Sequence, residues 1–286
     1  PYDQRVEDTP YPKAGDPNPI VKLGIVNAAG GEVRWVDTYK YPAEDLLIVR
    51  VGWTPDGRKV VYQAQNREQS FLDLNSANAD DGKSSTIFRE SSKAWVEVVD
   101  DGLRYLKDGS FLWLSDRGGW RHIYHYAAEG KLINQVTNGE WDVRSIDVVD
   151  EGKGTIYFSS SEHSFIANHE YSIKLDGSGL NRLTMTEGSH RSLFNSSASQ
   201  FIDSWNDVNT PTQVKLFDSA GKLVRAIDEN KVDALKQYKL GEVEFLNVKT
   251  RDGFTMEAMM IKPPDFDPAK KYPVMSYTYS GPQAQS

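Results

Sequence analysis

Short apolar, β-branched runs separated by turn-forming residues dominate the chain. Residues 45–53 (DLLIVRVGW) form one such run. It ends in Thr54-Pro55-Asp56-Gly57, where proline presets the second turn position and glycine accepts positive φ. Residues 59–63 (KVVYQ) supply the return strand. The layout recurs at 105–114, 147–159 and 193–205. Gly57, Gly109, Gly154 and Ser199 mark turns spaced by 52, 45 and 45 residues. A second hairpin follows in three of the units: 122–126 with 132–136, 170–175 with 180–184, and 212–217 with 223–227. Four strands repeated every ~40–50 residues predict propeller blades. From residue 24 onward this gives about four to five units, the first incomplete.

Around residue 240 the texture changes, just after the scarce helix signal of the chain. Val232, Leu235 and Tyr238 lie at helical spacing and predict a short helix over 229–238. Residues 242–250 (EVEFLNVKT) alternate apolar and polar positions, as a half-buried strand does. Arg251-Asp252-Gly253 is a hairpin turn and 254–262 (FTMEAMMIK) its return strand. After a proline-rich loop, 272–279 (YPVMSYTY) predicts another strand. The division is therefore a partial propeller over 1–240 and the start of a second domain over 241–286. Pro1 in place of Met, and a stop directly after a strand-like run, predict a piece of a larger protein.

Composition narrows the classes. The 286 residues carry a formal charge of −8. That argues against nucleic-acid binding, which needs clustered Lys and Arg against phosphates. No run approaches the ~18 apolar residues of a membrane span. The chain has no Cys, so disulfide, thiolate and Cys-ligated zinc chemistry are excluded.

In order and spacing, several motifs resemble one family. Tyr11-Pro12-Lys13-Ala14-Gly15, Gly119-Trp120-Arg121-His122-Ile123-Tyr124, LINQVTNGEWDV at 132–143, Lys271-Tyr272-Pro273 and Tyr279-Ser280-Gly281-Pro282 are similar to the dipeptidyl peptidase IV branch of the prolyl oligopeptidase superfamily. The resemblance covers essentially the whole chain. It implies a mostly β fold: part of an eight-bladed propeller of four-stranded blades, followed by the start of an α/β-hydrolase domain. It also implies a serine exopeptidase that releases dipeptides with Pro or Ala in second place, a homodimer, and no cofactor. Bacterial members suggest a periplasmic or secreted location, with the cytoplasm also open.

The family's oxyanion-stabilising tyrosine matches Tyr279, two residues before Gly281-Pro282. A tyrosine hydroxyl can donate to the oxyanion of acyl transfer. Alternation alone does not select it, because Tyr277 shares its face. No G-x-S-x-G nucleophile elbow occurs in the chain, and Gly177-Ser178-Gly179 is a hairpin turn. The family's Ser, Asp and His follow this segment, and its paired glutamates precede it. Glu162 and Glu170 are lone residues and do not replace that pair. The chain alone is thus expected to be inactive. A second reading is a non-catalytic propeller module that binds a peptide or protein.

Other candidates read as structural. His122 and His125, three apart on one strand, face opposite sides and suit no shared metal. His163 and His169 flank a loop, without the three or four convergent ligands that zinc needs; no metal is expected. A triad from Ser159–Ser161, His163 and Asp147 would lack oxyanion donors. Asp80 and Asp81 with Asn75 and Asn78 lack calcium-loop spacing. Trp53, Trp95, Trp113, Trp120, Trp141 and Trp205 read mostly as packing between blades.

Overall fold

The computed structural model describes Val6 and residues 8–278. Its first strands, β1 (Gly24–Ile25) and β2 (Arg34–Trp35), pair as a short ribbon. Four four-stranded sheets follow, each with its strands in chain order. The first contains β3 (Leu46–Trp53), β4 (Lys59–Asn66), β5 (Phe71–Asn78) and β6 (Ser84–Ser91). The second contains β7 (Leu103–Tyr105), β8 (Phe111–Ser115), β9 (His122–Tyr126) and β10 (Leu132–Gln135). The third contains β11 (Val143–Asp150), β12 (Thr155–Ser160), β13 (His169–Lys174) and β14 (Asn181–Arg182). The fourth contains β15 (Ser189–Phe194), β16 (Gln200–Asn206), β17 (Gln213–Asp218) and β18 (Leu223–Asp228). A separate hairpin, β19 (Val243–Lys249) and β20 (Thr255–Ile261), completes the described strands. These sheets are the propeller blades that the repeat spacing predicts.

The described residues through Gly119, together with Tyr126–Ile133, form one compact unit; Trp120–His125 and the described residues from Asn134 form a second. In the first unit the middle strands β4 and β5 are buried almost throughout. A sheet covered on both faces needs continuous apolar runs, and Val60-Val61-Tyr62 supplies one. In β5 the buried run is polar: Asp73, Asn75 and Ser76 lie beside Leu72 and Leu74. Such groups survive burial only when hydrogen-bonded. Arg89 grips Asp73 with Nε–Oδ1 2.6 Å and Nη2–Oδ2 2.9 Å, and the Tyr41 hydroxyl donates to Oδ2 at 2.7 Å. The unit's core continues through a ring stack in which Tyr126 lies 4.8 Å from Phe88 and 5.3 Å from Phe111.

The second unit is built the same way. All six residues of β12 are buried, and Phe158 stacks on Tyr171 at 5.6 Å. Phe194, Phe201 and Phe217 continue the core across the fourth sheet. One glycine device repeats within the two units. Gly130, Gly177 and Gly221 turn the last hairpins of successive sheets at φ +86°, +87° and +82°. A Cβ there would fall 2.5, 2.9 and 2.8 Å from the carbonyl oxygens of Ile87, Val136 and Leu183. A side chain is excluded by space as well as by φ.

Two expectations need correction, and two strands escape the sequence reading. The helix expected over 229–238 is a single 3-10 turn, Asp233–Gln237, with no buried residue; its apolar positions have nothing to pack against, so spacing alone does not hold an α-helix. The strand expected over 272–279 is not formed over its described part, 272–278, which has no ladder partner. The strands β5 and β6, the second hairpin of the first sheet, carry too little apolar signal to be assigned from sequence.

Candidate functional site

Tyr279, the one catalytic-site residue expected from sequence, lies outside the described residues. The hairpin ahead of it is regular. Val243 pairs with Ile261 and Lys249 with Thr255, and Lys262 Nζ reaches Glu244 Oε1 at 2.5 Å. Phe266 stacks on Tyr272 at 5.2 Å. The Tyr272 hydroxyl accepts from the Asp267 amide at 3.0 Å. The proline-rich loop is thereby tied to the segment that leads toward Tyr279.

The densest polar constellation among the described residues lies in the second unit, where the third and fourth sheets meet. His169 opens β13 and is fully buried. Its Nδ1 lies 3.1 Å from the Thr184 carbonyl oxygen and 3.2 Å from Thr184 Oγ1. The Glu170 amide donates to the same Oγ1 at 3.0 Å. Burial first, then the nearby His190, hold the His169 ring down to about 4, so it is neutral near pH 7. His169 Nε2 is buried with no hydrogen-bond partner.

His163 stands on the β12–β13 loop, its ring centroid 5.1 Å from that of His169. Its Nε2 meets the Glu187 carboxylate at 2.9 and 3.1 Å. Its amide donates to the Tyr171 hydroxyl, which donates to Glu162. His190 on β15 is occupied on both sides: Nδ1 lies 2.7 Å from Asp203 Oδ2 and Nε2 lies 2.8 Å from the Thr186 carbonyl. Glu170 is buried among Asp147, Ser192 and Asp203. Burial, with Asp147 next, raises its carboxyl well above the usual range.

Of the two histidines expected to flank a loop, His163 is an exposed, hydrogen-bonded loop residue as expected; His169 and the expected lack of a converging third group need correction. His169 is a buried strand residue, and Glu187, from the β14–β15 connection, joins the two histidines so that one ligand atom of each lies within 4.8 Å of the others. Glu187 is twenty-four positions from His163 in sequence, and only sheet packing brings them together. No spacing rule would have found it.

The remaining candidates stay structural. The seryl triad is not assembled: Ser159 pairs with Ser145, which donates to Asp147, while His163 faces Glu187. His122 is buried on Thr137 and the Gly139 carbonyl, and His125 is partly exposed. Asn75 holds Lys40 and Tyr41, and Asn78 and Asp81 accept turn amides. Trp113, Trp141 and Trp205 are buried, whereas Trp53 and Trp95 are exposed. Trp120 stacks on Phe165 at 5.7 Å. A shallow depression in the first unit, lined by Arg50, Trp53, Tyr62, Asp101 and Tyr105, gathers no nucleophile and base.

Comparison with known proteins gives these features a family context. Residues 2–212 match the family model described as the dipeptidyl peptidase IV (DPP IV) N-terminal region. The chain is 31% identical over 287 residues to a dipeptidyl peptidase 4 of Trichophyton equinum, covering 96% of this chain and 37% of that protein. It is 30% identical over 291 residues to the dipeptidyl peptidase 4 of Arthroderma otae, with the same coverages. The crystal structure of Porphyromonas gingivalis dipeptidyl peptidase 4 superimposes with a TM-score of 0.85 at 29% identity, over 92% of this chain and 37% of that one. The chain thus spans a little over a third of the length of the relatives it matches. No helix among the described residues is long and apolar enough to cross a membrane.

Proposed function

The chain belongs to the dipeptidyl peptidase IV family, and from that premise we propose that it is the propeller segment and hydrolase approach of a serine-type dipeptidyl peptidase. The whole protein releases dipeptides with Pro or Ala in second position through an acyl-enzyme. Residues 1–240 form part of the propeller and 241–286 begin the α/β-hydrolase domain. The observation that carries this reading is the order of parts: four four-stranded sheets, then the β19–β20 hairpin, then the Tyr272 segment running toward Tyr279. A propeller that only binds has no reason to continue into that segment.

Tyr279 donates its hydroxyl to the oxyanion as the tetrahedral intermediate forms. The propeller walls the cavity and limits it to unfolded peptide ends. The nucleophile, acid and base lie outside this chain, whose sequence has no G-x-S-x-G elbow, and the chain by itself does not hydrolyse peptides. The protein acts as a homodimer, without a metal or organic cofactor in its chemistry, outside the cytoplasm. The matched relatives are fungal in one comparison and bacterial in the other, so they favour neither as the source.

Tyr279→Phe in the full-length protein tests the assignment. Loss of one oxyanion donor lowers kcat by about 10²–10³ on a Gly-Pro chromogenic substrate and leaves KM nearly unchanged. An unchanged kcat removes Tyr279 from the machinery. A full-length protein that cleaves nothing yet binds peptide returns the reading to a non-catalytic module.

A further inference from the structure

Two adjacent sheets use one histidine framework and finish it differently. In the second sheet, His122 opens β9, its Nδ1 sits 3.1 Å from Thr137 Oγ1, and the Ile123 amide donates to that same oxygen at 2.9 Å. In the third, His169 opens β13, its Nδ1 faces Thr184, and the Glu170 amide donates to Thr184 Oγ1. The frames match position for position, sharing His, Tyr and Thr: His122-Ile123-Tyr124 against His169-Glu170-Tyr171, and Val136-Thr137 against Leu183-Thr184. Beyond the threonine they diverge. Gly139 follows Thr137 by two residues and its carbonyl meets His122 Nε2 at 3.0 Å. Gly188 follows Thr184 by four, and the longer connection leaves His169 Nε2 with no partner in a fully buried setting. His163 and Glu187 are the polar side chains that converge on His169 there, one ligand atom of each within 4.8 Å of the others.

The geometry points to a divalent transition-metal site, with zinc the best match, formed by His163, His169 and Glu187. A buried acceptor nitrogen left bare is destabilising in the absence of a ligand; His122, whose Nε2 meets the Gly139 carbonyl, shows that this fold can satisfy it when nothing else is required. The His169 tautomer suits a ligand. Its Nδ1–H donates to the Thr184 carbonyl, which leaves the Nε2 lone pair free; metal-bound histidines are oriented by just such a hydrogen bond from their other ring nitrogen. Two imidazoles and a carboxylate are a donor set that zinc accepts, with a fourth position for water. The three ligand atoms lie within 4.8 Å of one another, and tetrahedral zinc with bonds of about 2.0–2.2 Å needs them about 3.3 Å apart. His163 and Glu187 are the exposed members, so their side chains take up the difference while His169 stays fixed.

The backbone around Glu187 is held in place for this. The Trp205 indole donates to the Glu187 carbonyl at 2.8 Å. Gly188 is at φ +123°, where a Cβ would lie 2.5 Å from the Asn206 carbonyl oxygen. His163 and His169 belong to the third sheet's β12–β13 hairpin, and Glu187 to the connection that leads into the fourth sheet. A bound ion would therefore staple two blades of the second unit, a structural role separate from peptide hydrolysis.

The test uses the full-length protein, stripped with chelator and dialysed. Zinc alone is titrated by calorimetry, and bound zinc is counted by elemental mass spectrometry. One equivalent of zinc that disappears in both His163→Asn and Glu187→Gln supports the site. Outer-shell changes already cost about 10–100-fold in affinity, so each ligand change weakens binding at least about tenfold. Zinc also raises the thermal midpoint of the wild type and leaves that of the double variant unmoved. Both substitutions are at exposed side chains, so the apo variants keep the apo wild-type midpoint. His169→Gln is informative only if it folds, and the exposed pair decides without it. Absence of bound zinc, or binding equal in wild type and double variant, overturns the proposal.

Discussion

Asp73 is the sharpest place to test how the first unit tolerates polar residues in its most buried strand. Its side chain is 2% exposed, while that of Arg89 is 51% exposed. Arg89 binds both carboxylate oxygens and lies over the Phe71 ring at 3.9 Å. Around the carboxylate stand the Tyr41 hydroxyl and Lys40 Nζ at 3.8 Å, while the Asn75 amide donates to the Asp73 main-chain carbonyl; Asp37 and Tyr62 are the other titratable groups nearby. Burial alone would raise the Asp73 carboxyl, but Arg89 and Tyr41 outweigh it and hold it below its usual range.

Arg89→Met keeps the apolar cover on Phe71 and removes the main counter-charge. Breaking a fully buried pair costs about 3–5 kcal/mol because a charge is stranded. Here Arg89 is half in water, and Tyr41 and Lys40 remain, so the expected loss is about 2–3 kcal/mol. An exposed pair would cost only about 0–1. In urea denaturation of the full-length protein the propeller transition moves down accordingly. The companion variant Asp73→Asn/Arg89→Met carries no stranded charge and loses less than Arg89→Met alone. The pH arm follows from linkage. The folded pKa is depressed, so the stabilisation is complete above the unfolded value near 3.8 and is lost as pH falls through the folded value. The gap between wild type and Asp73→Asn therefore closes only in strong acid. A loss under about 0.5 kcal/mol for Arg89→Met, or strict additivity in the double variant, refutes the stranded-charge argument.

Further outcomes follow from the second unit and the late hairpin. His190→Ala leaves Asp203 Oδ2, on a side chain 1% exposed, without its hydrogen-bond partner and lowers stability by about 1–3 kcal/mol, read as an earlier thermal transition; His190→Ala at wild-type stability would dismiss the pair. Gly188→Ala meets both strain and the Asn206 carbonyl, whereas Gly253→Ala meets only φ +91° with nothing within 4 Å. Gly253→Ala should cost about 1–2 kcal/mol and Gly188→Ala clearly more, compared by chemical denaturation. The isolated 286-residue chain, pure and mass-verified, releases no chromophore from a Gly-Pro substrate.

How much the sequence reveals depends on where each signal resides. Turn residues and β-branched runs are local, so β3, β4, β8, β12 and β16 are legible in the chain itself. Phe71–Asn78 is not, because its burial is sustained by Arg89 and Tyr41, which are remote in sequence. Residues 272–278 read as a strand because they alternate, yet a strand is a pairing and no partner is present for them among the described residues. His169 reads as flanking a loop because the strand legible in sequence starts at residue 170; its burial comes from groups remote in sequence, Thr184 on the β14–β15 connection and His190 on β15. Tyr279 stands out only through family motifs, since Tyr277 has the same alternation.

The central claim is that this propeller serves a dipeptidyl peptidase. The direct measurement is mass spectrometry of products after the full-length protein is incubated with three peptides: one with Pro in second position, one with Pro in third, and an N-acetylated copy of the first. The account predicts release of the N-terminal dipeptide from the first peptide alone, and a strong loss of that release in Tyr279→Phe. Cleavage of the acetylated peptide at the same rate, release of tripeptides, or no cleavage of any of the three contradicts it.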